Sequence, residues 1–187
     1  SEYSATTLRG SLRGATSGEY PMSPNSLTRM GDSENASVYA QGLAVLHGLG
    51  VFLGRDVLDA GIAKYVEDYK DQLVESSHLR RVMEDVSGQH LGWLFDQWVT
   101  GRGTPKFETN YKFTAKKKDA PSNLTVQIKQ TTKGAAFHAP VEVEIGTKTG
   151  VLKRRVWVHK GTTKIVVDLD EPPQYVVVDP QGGLVAK

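Results

Sequence analysis

Any chemistry in this sequence has to come from a small set of side chains. There are five histidines, His47, His78, His90, His138 and His159, and no cysteine. No H-E-x-x-H occurs, and no two histidines stand at i, i+4 on one expected helix. A metal-binding helix of that type is therefore not encoded. The lack of cysteine removes disulfides, thiolate nucleophiles and thiolate metal sites. There is no G-x-S-x-G elbow and no glycine-rich phosphate loop between a strand and a helix. His47, within a strongly apolar stretch, reads as a packed or hydrogen-bonded histidine. Trp93 and Trp98 read as core rather than as a ligand cage. Lys116, Lys117 and Lys118 fall in an expected hairpin turn and read as a solvated turn. Tyr39 is the residue to single out, because it places a hydroxyl donor near the start of an apolar helix. A tyrosine there ordinarily anchors ring and hydroxyl at a domain surface, and nothing in its neighbours makes it catalytic.

The element that must position Tyr39 is the stretch Glu34 to Gly54. Val38, Leu43, Leu46, Leu49 and Leu53 recur at helical spacing, and Val45 and Phe52 widen the stripe. Asn35 or Ser37 can cap its start, and Gly54 can end it. Gly42, Gly48 and Gly50 inside the helix predict close packing against a neighbour, since each costs about 1 kcal/mol relative to alanine. Upstream, residues 1–14 predict a short helix and 15–33 an irregular connection rich in Pro, Ser and Gly. Downstream, three more helices are expected. They run from Asp56 to Leu73, from a cap at Ser76 or Ser77 to Gly88, and from Gln89 to Val99.

At Gly103-Thr104-Pro105 the period changes from helical to two. Phe107, Thr109, Tyr111 and Phe113 alternate with polar residues, as do Leu124, Val126 and Ile128. The same holds for Val141, Val143 and Ile145, and for Ile165, Val167 and Leu169. Arg155 to His159 and Tyr175 to Val178 predict two more strands, and Leu184 to Ala186 a seventh. Short alternating strands between turn residues predict an antiparallel β-sandwich. The expected fold class is α+β, with a helical bundle over residues 1–102 followed by a sandwich over 103–187.

Composition agrees with a folded globule. The 187 residues are 39% hydrophobic and 24% charged. A net charge of +2 is too small to imply a nucleic-acid partner. The longest apolar run is too short and too broken by glycine to predict a membrane span.

The order of motifs carries a resemblance. V-Y-A-Q-G-L-A-V-L-H-G-L is followed by D-A-G-I-A-K-Y, and then by M-E-D-V-S-G-Q-H-L-G-W-L-F-D-Q-W-V-T-G-R-G-T-P. This resembles the aminopeptidase N family of zinc metallopeptidases, over about residues 34 to 113. That family has a Tyr-x-x-Gly segment opening a helix. Later comes S-G-x-x-L-x-x-F-F-x-x-W ending in G-x-P, and then a β-sandwich. The matching residues here are Tyr39 and Gly42, then Ser87, Gly88, Leu91, Leu94, Phe95, Trp98, Gly103 and Pro105. The resemblance implies the C-terminal half of a thermolysin-like catalytic domain and a following sandwich. It implies a parent enzyme that removes N-terminal residues from peptides with a bound zinc, and it gives Tyr39 the role of hydrogen-bond donor to the transition-state oxyanion. Ala40-Gln41 stands where the family has Glu-Lys. The zinc motif, its downstream glutamate ligand and the G-x-M-E-N segment are absent, and Met30 to Asn35 does not replace the last. The expectation is a fragment whose zinc ligands and general base lie upstream, which binds no metal and is inactive by itself. Its partners would be the peptide substrate and the remainder of the catalytic domain. The competing expectation is a non-enzymatic scaffold or protein-binding module.

Overall fold

The computed structural model describes residues 32–184, apart from 102, 104, 116–121 and 133, and for 32–40 it describes the backbone alone. The short helix expected over 1–14 and nearly all of the connection over 15–33 lie outside the described residues, as does most of the expected seventh strand. Two compact units divide between Thr104 and Pro105. Among the described residues the first holds helices and the second antiparallel strands, so the fold class is α+β as expected.

The central helix, α1, runs Asp32–Leu53. Its buried line is Ala44, Val45 and Leu49, with Leu46, Phe52 and Leu53 packed at the margin. Leu43, expected on the buried stripe, is instead 51% exposed. A helix that is apolar on most sides cannot bury all of them against neighbours on one side. Gly54 follows at φ +95°, a backbone that side chains rarely adopt. Its N–H bonds to the Gly50 carbonyl at 3.0 Å, and its own carbonyl accepts from Leu58 N–H at 3.1 Å. One residue therefore closes α1 and opens α2, Arg55–Asp68.

Helix α2 stops short of the expected Leu73. The Gln72 side chain donates to the Asp68 carbonyl at 3.0 Å, and its backbone N–H bonds to the Tyr69 carbonyl at 3.1 Å. Carbonyls at the helix end are thus satisfied without a further turn, and Leu73 is fully exposed. Helix α3, Ser76–Ser87, begins with a capping box in which Glu75, not Ser76 or Ser77, is the cap. The Glu75 N–H donates to His78 Nδ1 at 3.0 Å. Gly61 of α2 packs directly on the Met83 thioether of α3, leaving no room for a larger residue. Helix α4, Gly92–Trp98, starts three residues later than expected, because 89–91 are held in a polar joint described below. The core of this unit is Val45, Leu49, Leu58, Met83, Leu91, Leu94, Phe95 and Val99.

The second unit is two three-stranded antiparallel sheets. One has the order β1 (Phe107–Thr114), β2 (Asn123–Gln130), β5 (Gly161–Asp168), and the other β4 (Gly150–Val158), β3 (Ala139–Thr147), β6 (Tyr175–Val178). The central strands β2 and β3 bury Leu124, Val126, Ile128, Val141, Val143 and Ile145 to 1% exposure or less. These are the alternate positions that the period of two selects. Strand β4 is longer than the expected 155–159, because a tight turn at Thr147–Gly150 brings Val151 to Arg154 into the ladder opposite Gly146 to Val143.

Candidate functional site

Tyr39 sits in α1, seven residues after its first. Its backbone is helical, and its side chain lies outside the described residues. The helix that carries it is fixed from the C-terminal side, where Ala44, Val45 and Leu49 are at most 5% exposed. His47 lies half-buried on the same helix.

The joint between α3 and α4 fixes the second motif. Ser87 Oγ donates to the Met83 carbonyl and accepts from Gln89 N–H at 3.1 Å. Gly88 takes the left-handed conformation, φ 64°, that ends α3. Glu84 Oε1 accepts from Leu91 N–H at 2.7 Å and stands 2.9 Å from His90 Nδ1. Arg80 Nε lies 4.0 Å from Glu84 Oε2. Burial pushes the Glu84 carboxyl up. The bonds from His90 and Leu91, with the Arg80 charge, outweigh that and hold it below the usual carboxylate range. Leu91, fully buried, is thereby pinned at its backbone and its side chain. Ser87, Gly88 and Leu91 are a helix–turn–helix joint, and their spacing has a mechanical cause. Trp93 and Trp98, expected in the core, are half-buried against it. Trp93 meets Phe52 edge-on with ring centres 5.4 Å apart.

Among the described residues no three His, Asp or Glu converge to hold a metal ion. No H-E-x-x-H occurs in the sequence. Among the described residues, too, no helix is long and apolar enough to cross a membrane.

The helices described above fall inside one family match. Residues 7–98 match the peptidase family M1 domain, ending with the last residue of α4. This segment is similar to peptidase family M1. The M1 segment therefore contains Tyr39, the Glu84 joint and the whole helical core except Val99. Over 127 residues the chain is 28% identical to the Tricorn protease-interacting factor F2 of Thermoplasma acidophilum, covering 60% of this chain and 16% of that protein. The fold is similar to that of Legionella pneumophila aminopeptidase A, solved in complex with aspartic acid. There the TM-score is 0.74 at 14% identity, over 94% of this chain and 20% of that one. The chain thus spans about a sixth to a fifth of the length of these relatives.

One cluster was not found in the sequence. His138 and His159 stand side by side in the sandwich, Nδ1 to Nδ1 3.0 Å. The signal was the β3–β4 hairpin register, which pairs residues whose numbers sum to a constant. Starting β4 at Arg155, five residues after its first residue, Gly150, hid that register.

Proposed function

We propose that this chain is part of a zinc aminopeptidase of family M1, and that Tyr39 donates its hydroxyl to the oxyanion formed as the scissile peptide carbonyl is attacked. The observation that carries this reading is the M1 match over 7–98, which encloses Tyr39 on a helix anchored by Ala44, Val45 and Leu49. A phenol is a protonated donor at neutral pH. A donor held rigidly where charge develops stabilises the transition state more than the ground state. An anchored helix supplies that rigidity. In this reading the zinc is held by residues outside this sequence, and no catalytic step here is assigned to it. The partners are the peptide substrate and the remainder of the catalytic domain. The isolated chain is inactive and retains no zinc after dialysis.

The test is Tyr39→Phe in the complete parent enzyme. Turnover is expected to fall about 100- to 1000-fold with folding intact. Equal turnover in the two proteins would remove the donor role. A parent with no peptidase activity at all would favour a non-enzymatic relative of the same fold. Elemental mass spectrometry of the dialysed chain gives the metal result independently.

A further inference from the structure

We propose that His138 and His159 form a two-imidazole site for a divalent transition-metal ion on the sandwich, with Cu2+ the best fit. The β3–β4 register pairs Ala139 with Val158, so His138 and His159, one step beyond, stand directly across from each other. Ala139 and Val158 are buried, and alternation puts the histidines on the outer face. Both are exposed, with ring centres 5.2 Å apart and Nδ1 atoms 3.0 Å apart.

The backbone beneath them is clamped. The Gln130 side-chain amide donates to the Phe137 carbonyl at 2.8 Å and to the His159 carbonyl at 3.3 Å, and its oxygen accepts from Phe137 N–H at 2.8 Å. One carboxamide thus ties together the two chain segments that carry the rings. Two Nδ1 atoms in hydrogen-bond contact require one to donate and the other to accept. With both protons on Nε2, a small ring rotation aims both lone pairs at one point. A metal about 2.0–2.1 Å from each nitrogen then subtends an angle of about 90°, the cis angle of a tetragonal site. Imidazole suits this ion, and Cu2+ stands highest in the affinity order of the first-row divalent ions. Two protein ligands leave water to complete the shell, so the site is exchangeable and not structural.

The experiment is titration of the intact chain with Cu2+, followed by calorimetry and tryptophan fluorescence. Trp157 lies two residues before His159, on the same face by alternation, and is 43% exposed, so bound Cu2+ quenches it. The expected result is one Cu2+ per chain, with affinity at least tenfold weaker in His138→Asn and in His159→Asn, and unchanged in His90→Asn. Trp157→Phe is expected to bind normally while losing the quenched component. Far-UV circular dichroism confirms that each variant is folded, and both histidines are exposed enough for Asn to be accommodated. No binding at tens of micromolar Cu2+ would overturn the site. So would binding that survives either substitution, or that responds to only one of them.

Discussion

The two units satisfy their apolar residues differently. In the sandwich, alternation sorts the central strands cleanly, and β2 and β3 bury six aliphatic side chains to 1% exposure or less. Among the described residues of the helical unit, Ala44, Leu49, Met83, Leu91 and Val99 reach 1% or less. Phe52, Trp93 and Trp98 stay half-buried at the margin, while Leu43, Val66 and Leu73 are 51%, 61% and 100% exposed. The sandwich exposes large apolar side chains as well, among them Tyr111, Val151 and Val166 at 53%, 53% and 63%, but these lie on its outer positions while its inner positions are closed.

The largest expected effect tests whether the helical unit carries the chemistry. Tyr39→Phe lowers turnover of the parent enzyme by about 100- to 1000-fold, whereas Tyr111→Phe on the sandwich leaves it unchanged, as steady-state kinetics would show. The next pair tests the cores against each other. Leu49→Ala and Ile145→Ala each cost about 2–5 kcal/mol in urea denaturation. Trp98→Ala sharpens the contrast at the margin. A fully buried tryptophan costs about 3–5 kcal/mol on truncation, and Trp98, half-buried, is expected to cost less. A loss at or above that range would mean that the helical unit is as tightly closed as the sandwich.

The Glu84 joint predicts a pH effect. Its folded carboxyl sits below the ordinary value, so its contribution is fully present above the unfolded pKa and is lost as pH falls through the folded one. Stability of the helical unit should drop through the acid limb below about pH 4. Glu84→Gln should flatten that limb, as thermal melts across the acid range would show. The smallest effect belongs to the sandwich surface. Lys153 Nζ lies 3.0 Å from Glu142 and 3.6 Å from Glu144, yet the lysine is exposed, and thermal melts of Lys153→Ala should be nearly unchanged.

What could be read from the sequence followed the range of the interactions. Helix ends governed by glycine, at Gly54 and Gly88, were legible because the cause lies in one residue. The start of α4 was not, because Glu84 reaches seven residues ahead to hold Leu91 N–H, and no local propensity records that bond. Leu43 was misplaced because spacing defines a stripe without saying how many neighbours exist to cover it. The alternating strands were legible as strands. Which residues face each other across a hairpin was not, and so the His138–His159 pair went unseen. The reading of Tyr39 as a donor rests only on the order of motifs around it, since nothing in its neighbouring sequence marks a donor.

The continuity of α1 has one more consequence. Tyr39 and the buried anchor at Ala44 lie on one unbroken helix, so they are coupled as angles on a dial. Removing or adding one residue between them would turn the tyrosine by about 100° and shift it about 1.5 Å along the axis. A substitution at Ala40 or Gln41 keeps that phase. In the proposed reading, the number of residues between Tyr39 and Ala44 is therefore constrained by this phase.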